Sequence, residues 1–566
     1  MGATLLNSSA TTVSVCMRDK YGWHSYIYKS VTIWFKGHLF NEVESKLRLR
    51  IAEYIENNFD CIQEKFFHQL VSSLRGNFAI VVITDKCVFM SVDKVRSIPL
   101  FYIENQHNFS IGNYAPLLKE KSSLISENID MQASLEIAMS GYSVGRKTLY
   151  TNLFQLTAGE FLFFKKNKKI KRKYYYTYAP WKVHDTSDKT LKKEFTESII
   201  SSLQDVIKKS KGRQIAIPLS AGNDSRLIAS GLKYLGKNNV LCFAYGRKDN
   251  FEAKASKAIA DKLGFDWHHV ELTTKKVRDY FTADKYKNFL DDFDGYYGIS
   301  FGREIAVVDI LKSNSIVSKD AIFVNGMSGD FISGAHIPSQ ITAFKKSDYS
   351  YDELLELSFI QFINKHFGLW KSLLSHNNYS KIVNELMLLS KDRKIPMHNK
   401  HIHGIFETIE AIERQSKYVI KGQEVYDYHG FDWMLPLWSE QMLNFWEKVP
   451  LQYKKNQSLY TKCLIENNWG GVWKDIPINK KKIDMIWLSF IRLFFKGLLA
   501  PLGKKKWHQF EKNTFYYWMD TTRRSSTFPY LKVLFDRRGQ RNYISWESEK
   551  YLNSHGIKFS SLGLKK

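Results

Sequence analysis

The stretch Ile215–Ser230, "IAIPLSAGNDSRLIAS", decides how the middle of the chain folds. Gln214–Leu219 is an apolar run and reads as a strand. Ser220-Ala221-Gly222-Asn223-Asp224-Ser225 is a tight turn of small residues. From Ser225 the apolar positions Leu227, Ile228, Leu232 and Leu235 recur at helical spacing, with Gly236 just past the end. A strand feeding a helix through such a turn aims backbone N–H groups and the positive end of the helix dipole at one point, where an anion sits readily. Asp224 would repel a bare phosphate, so its presence implies a divalent cation between carboxylate and phosphate. A plain N-cap role for Asn223 or Asp224 is the alternative. The spacing matches neither G-x-x-x-x-G-K-S/T nor G-x-G-x-x-G.

Outward from this turn, strands and helices alternate. Val240–Ala244 reads as a strand, Phe251–Leu263 as a helix, and Trp267–Glu271 and Ala321–Asn325 as further strands. Alternation of this kind predicts a doubly wound parallel sheet, whose ligands bind at the carboxyl ends of the strands. A second strand end, "IFVNGMSGDFISGAH" (Ile322–His336), offers Asn325, Gly326, Gly329 and Asp330. His268 and His269 are neighbours in a strand and point to opposite faces, so a structural role is expected for both. Upstream, Val13–Met17, Val31–Phe35, Phe78–Ile83, Cys87–Ser91, Leu100–Ile103 and Phe109–Gly112 read as short strands in a meander, with helices at Glu42–Asn57 and Gln63–Leu74. The fold class expected is therefore multidomain: an α+β segment over 1–180, an α/β doubly wound domain over 190–480 with helical character late in the chain, and a basic extension over 481–566. The basic run Lys165–Lys173 sits at the first junction and reads as a solvated turn.

With 566 residues, 44% hydrophobic and 25% charged, the chain suits a soluble globular protein of two or three domains. Five cysteines, widely spaced and without a C-x-x-C pair, argue against a disulfide framework or zinc cluster and suit a reducing compartment. No signal peptide is expected, and the location expected is cytoplasmic. The net charge of +26 admits nucleic acid, an anionic membrane surface or anionic small substrates as partners, or a lysine-rich surface with none. No basic helix interleaved with aromatics lies near the turn, which disfavours nucleic acid.

The turn at Ser220–Ser225 resembles the pyrophosphate loop S-G-G-x-D-S of ATP pyrophosphatases. With Gly326-Met327-Ser328-Gly329-Asp330-Phe331, Asp432-Trp433-Met434-Leu435-Pro436-Leu437-Trp438-Ser439 and Lys462 after Val449-Pro450, it resembles the asparagine synthetase family in order and spacing from about Arg213 to Leu464. The amino-terminal motifs Gly37-His38-Leu39-Phe40-Asn41, Gly76-Asn77-Phe78-Ala79, Asp93–Tyr102 and Leu156–Glu160 resemble that family's class II glutamine amidotransferase domain, an Ntn-hydrolase-like fold. The resemblance implies ATP and Mg²⁺ as cofactors. Ser220, Ala221, Gly222, Asn223, Asp224, Ser225, Asn325 and Gly326 would bind nucleotide, Asp224 and Asp330 the metal, and Lys462 would act with them in catalysis. It implies adenylation of a carboxylate, release of pyrophosphate, and amide formation with ammonia or an amine. The strand end Phe243–Gly246 would border the nucleotide.

The departures are specific. The family's nucleophilic cysteine, exposed after Met removal, is replaced by Gly2, and Cys16 does not substitute for it, so no glutaminase activity is expected. That layout is similar to β-lactam synthetases and lasso-peptide cyclases. Ala221 stands for a glycine, which requires a negative φ there. Phe331 stands for a glutamate, and Asp432 and Met434 for an E-x-R pair, so an altered substrate is expected. A catalytically inactive scaffold and an amidating enzyme of cell-surface polysaccharide assembly remain alternatives, and a homodimer is left open. Met485–Leu499, flanked by Lys480–Lys482 and Lys504–Lys506, is too short to span a membrane. It reads either as a core helix or as a peripheral membrane-surface contact over 481–510.

Overall fold

The computed structural model describes residues 4–6, 12–58, 61–104, 108–121, 129–165, 168–343, 350–398, 402–477, 486–520 and 522–562. Gly2, Lys166, Asn167, Lys480–Lys482 and Met485, which figure in the readings above, lie outside the described residues.

The amino-terminal strands form two sheets rather than one meander. Six antiparallel strands run in the order Lys171–Tyr174, Glu160–Lys165, Cys87–Val92, Gly76–Ile83, Val31–Leu39, His24–Tyr28. Five run in the order Thr4–Leu6, Thr12–Cys16, Asn108–Gly112, Phe101–Glu104, Leu153–Gln155, with Thr12–Cys16 parallel to Asn108–Gly112. Consecutive hairpins thus land in different sheets. Gly76–Ile83 shows why: it is buried along nearly its whole length, so each face needs its own cover. Phe78, Ile80 and Val82 pack under the helices Glu44–Asn57 and Glu64–Ser73 through Leu47, Ile51 and Phe67. Ala79, Val81 and Ile83 face the second sheet through Val13, Val15 and Phe109. Period-two alternation in a doubly buried strand separates two apolar sets in this way. Part of the basic run is an edge strand, Lys171–Tyr174, and its charge is locally compensated. Lys171 and Lys173 reach Glu64 at 3.0 and 2.5 Å.

The middle domain holds a five-stranded, fully parallel sheet in the order Asp266–Glu271, Val240–Gly246, Ile215–Pro218, Ile322–Val324, Asp432–Met434. The chain leaves Ile215–Pro218 in one direction, returns past it, and completes the sheet on the other side. The order therefore reverses between Ile215–Pro218 and Ile322–Val324, the place where doubly wound sheets open a ligand crevice. Asp432–Met434 forms the last strand of the sheet. His268 and His269 lie in the strand at the opposite edge, and the His269 ring lies parallel to that of Trp267, two residues away on the same face.

Past residue 486 the chain divides in two. Tyr543, Trp546, Leu552 and Phe559 join a large apolar cluster with Tyr142, Trp370 and Phe406, so the last described segment is part of the body. The hairpin Ile486–Leu499 and Lys504–Thr514 forms its own small cluster around Leu488, Trp507 and Phe515.

Candidate functional site

The two strand ends at the reversal point carry the turns singled out in the sequence. The first helix begins at Asn223 with Gly222 as N-cap and no side-chain cap. The N-cap reading of Asn223 and Asp224 therefore does not apply, and the first-turn N–H groups have no intrahelical acceptors. Within the turn, Ser225 Oγ accepts from Ser220 N at 3.0 Å and lies 3.1 Å from Ser220 Oγ, while Gly222 N donates to Ser220 Oγ at 3.1 Å. Ala221 is buried and is not among the residues with positive φ. Its methyl is thus tolerated where the family pattern has glycine. Arg226 fixes the turn from behind, donating to Ala221 O at 3.0 Å and to Val472 O and Ile476 O at 3.1 and 2.9 Å.

The second turn presses directly on the first. Asp330 N donates to Asp224 Oδ2 at 2.9 Å, which sets the backbone of the second turn against the carboxylate of the first, 106 residues earlier in the chain. A Cβ on Gly326 would lie 2.7 Å from Asp224 Cβ, and one on Gly329 2.7 Å from Asp224 Cγ. The first turn thus leaves no room for a side chain at either glycine: Asp224 Cβ and backbone fill the space at Gly326, and the Asp224 carboxylate with Leu437 Cδ1 fills it at Gly329. Asn325, buried, accepts from Met327 N at 3.1 Å and donates to Gln423 at 3.3 Å, fixing the start of this turn.

Lys462 is not part of this assembly. It sits on the exposed side of the helix Ser458–Asn467 and makes no hydrogen bond or ion pair among the described residues. The same helix turns Tyr460 inward, and Tyr460 Oη donates to Asp224 Oδ1 at 2.8 Å. Two residues apart on a helix is about 200° of rotation, so both cannot face the turn.

Sequence reasoning also missed a charged relay behind Asp330. His336 Nε2 lies 3.3 Å from Asp330 Oδ2, and its Nδ1 is bonded to the fully buried Glu410. His366 Nε2 is 3.1 Å from the other Glu410 oxygen, close but off the hydrogen-bonding line. His336 was within sight, six residues after Asp330. Glu410 carries no motif, and only the packing of its helix reveals it.

Electrostatics separate the two carboxylates. Burial and the neighbouring Asp330 push the Asp224 carboxyl up to about 7, against hydrogen bonds from Tyr460 and Asp330 N. Burial acts on Asp330 in the same direction but is outweighed by the His336 hydrogen bond and charge, which hold it below its ordinary value. Burial disfavours a charged His336, yet Glu410 and Asp330 raise it to about 9, so it is an imidazolium at neutral pH. Burial pushes the Tyr460 phenol well up, and Asp224 adds to this, so it remains a donor.

A cation between these carboxylates would relieve the repulsion that raises Asp224. No group of three or more His, Cys, Asp or Glu side chains suited to a metal occurs among the described residues. Two carboxylates fit Mg²⁺, which keeps waters and takes its remaining ligands from substrate phosphates.

The remaining motif residues are placed elsewhere. Phe331 is fully buried against Trp438. Asp432 turns out to the sheet edge and pairs with Arg213 at 2.7 Å, and Met434 is core. The amino-terminal motif residue Gly37 adjoins Lys36, which makes a nearly buried ion pair with Asp427 of the middle domain at 2.8 Å. Cys16, Cys87, Cys242 and Cys463 are buried, and burial pushes each thiol up.

Residues 24–175 match the model of the glutamine amidotransferase domain. The chain is 22% identical over 322 residues to the "Putative asparagine synthetase (glutamine-hydrolyzing) 2" of Methanocaldococcus jannaschii. That match covers 56% of this chain and 58% of the relative's length. Both findings are consistent with the asparagine synthetase family. Among solved structures, the NH3-dependent NAD synthetase of Campylobacter jejuni aligns at 14% identity and a TM-score of 0.20, covering 38% of this chain and 98% of that one. The glutamine phosphoribosylpyrophosphate amidotransferase of B. subtilis aligns at 9% identity and a TM-score of 0.17, covering 54% and 63%.

Proposed function

We propose that the chain is an ATP-dependent ligase that adenylates a small-molecule carboxylate and forms an amide with ammonia or an amine. The observation that carries this reading is the contact between Asp224 and Asp330 at the sheet's reversal point, beside an uncapped helix start. In this reading the N–H groups and hydroxyls of Ser220–Ser225 bind the leaving pyrophosphate, at the end of the helix that favours anions. Asn325 and Gly326 border the nucleotide. Asp224 and Asp330 are the residues that would hold Mg²⁺, which neutralises phosphate charge when bound. Tyr460 orients Asp224, and His336 holds Asp330 ionised. The carboxylate oxygen attacks the α-phosphorus as the bond to the pyrophosphate oxygen breaks, and the amine then displaces AMP.

Glutamine hydrolysis is not part of this reading, because four of the five thiols are buried and pushed up, and Cys61 lies in the turn between two surface helices. Ammonia or a substrate amine is then supplied from outside, with the protein working in the cytoplasm. Neither nucleic acid nor a homodimer is required.

The decisive experiment measures pyrophosphate release from ATP and Mg²⁺ with a panel of carboxylates, wild type against Asp224→Ala. Release that depends on Asp224 is expected. No release across the panel, with no ATP binding by calorimetry, would sink the ligase reading. An inactive scaffold is the second reading, favoured by Phe331, whose apolar ring fills the family's glutamate position.

A further inference from the structure

The helix Ile486–Leu499 (IWLSFIRLFFKGLL) is apolar on two sides, and the fold packs one of them, meeting the other at its edge, where Trp487 meets Trp518 edge-on at 6.1 Å. Leu488, Phe495 and Leu499 pack against Trp507, Phe510 and Phe515 of the following helices. Arg492 closes the margin of that contact with Glu511 at 2.7 Å. At about 100° per residue these positions span one narrow arc. The other arc, roughly 160° wide, carries Trp487, Phe490, Ile491, Leu493, Phe494 and Leu498. These side chains are 40 to 69% exposed, and no charged residue interrupts them. Leu502, just past the helix, extends the face at 52% exposure. A continuous apolar patch of this kind marks contact with something apolar.

Charge identifies the occupant. Lys496 is exposed on the polar side of the helix, and Lys504, Lys505 and Lys506 are exposed at its carboxyl end. A second copy of the chain would bring two such lysine clusters together, each on a molecule of net charge +26. An anionic lipid surface satisfies both features, taking the aromatic and leucine side chains into the headgroup boundary and the lysines onto phosphates. Fourteen residues make a helix of about 21 Å, short of the ~30 Å hydrocarbon layer. No helix among the described residues is long and apolar enough to cross a membrane.

We propose that the 486–519 hairpin seats the protein flat on an anionic membrane surface through the Trp487–Leu498 face. This stands independently of the ligase reading. The test is flotation of the full chain with vesicles of phosphatidylcholine alone, and of phosphatidylcholine with phosphatidylglycerol. Binding to the second and little to the first is expected. Phe490→Ser with Phe494→Ser should cut the bound fraction more than about tenfold, since two large apolar side chains are lost from the buried face. Leu388→Ser, on an exposed leucine of another helix, should leave it unchanged. The triple variant Lys504→Glu, Lys505→Glu, Lys506→Glu should lose the preference for phosphatidylglycerol, and it decides the matter if the phenylalanine variant fails to fold. Absence of flotation with anionic vesicles overturns the proposal, as does flotation that neither variant changes. A dimer in sedimentation that the phenylalanine variant splits, with no lipid binding, would assign the face to a second copy instead.

Discussion

Asp93 in the amino-terminal domain and Asp224 in the middle domain both come from family-like motifs, and both sit in turns leaving a sheet. Asp93 is fully buried and accepts from Phe78 N at 3.0 Å, Val95 N at 2.9 Å, Ser97 N at 3.2 Å and the Ser97 hydroxyl. Burial pushes its carboxyl up to about 6, and those hydrogen bonds pull against it. Asp224 is partly buried, accepts from one hydroxyl and one N–H, and faces a second carboxylate. A satisfied buried carboxylate holds a turn together, whereas one left beside a like charge costs stability and waits for a cation. Asp93 thus holds its own turn, while the contact that leaves a carboxylate beside a like charge lies in the middle domain.

The largest expected effect breaks the pair apart. Asp224→Ala should reduce pyrophosphate release by roughly 100-fold or more without lowering thermal stability. Asp93→Ala should do the reverse, costing several kcal/mol by stranding buried N–H groups at about 1–3 kcal/mol each. A denaturation midpoint that falls equally in both variants would erase the distinction.

Next is the join between the halves. Lys36→Ala or Asp427→Ala leaves one charge buried and unpaired, and each should cost about 3–5 kcal/mol. The double replacement by apolar residues should recover much of that in denaturant titrations. A double variant no better than the singles would count against a bridging ion pair.

Protonation sharpens the comparison further. The folded Asp224 carboxyl is raised to about 7 from an ordinary 3.8, so the unfolded chain releases this proton first. The stability it contributes is therefore full below about pH 4 and lost progressively as pH rises to about 7. Without Mg²⁺ and ATP, Asp224→Asn should melt above wild type at pH 8, and the gap should close toward pH 4. An equal gap at both pH values would contradict the environment described for Asp224.

On one helix, Tyr460→Phe should lower activity several-fold by freeing Asp224, with Lys462→Ala close to wild type. The opposite ranking in pyrophosphate release would restore Lys462 to the site. The smallest effect is chemical: Cys61 is the exposed thiol, so native labelling should modify it well ahead of the other four.

Much of this was legible in advance. The strand–turn–helix at Ile215–Tyr234 follows from apolar spacing and small turn residues, and the helix Phe251–Leu263 matches its predicted bounds. The edge strands Lys171–Tyr174 and Asp432–Met434 were not legible, because charged or mixed residues carry no period-two signal when one side faces solvent. The split of the amino-terminal strands between two sheets was equally hidden, since local alternation states that a strand has two faces but not what covers each.

The sequence by itself determined that a turn of small residues bearing Asp224 would end one strand, that glycines and Asp330 would end another, and that residues 486–499 would form an amphipathic or apolar segment. These are consequences of local spacing and backbone chemistry. Only the tertiary structure decided that the two aspartates touch, that Tyr460 rather than Lys462 faces them, and that the buried Glu410 stands behind His336. It also decided that one side of the 486–499 helix is left bare. Each of those depends on contacts between residues far apart in the chain, which helical rotation and sheet order impose and no short window of sequence contains.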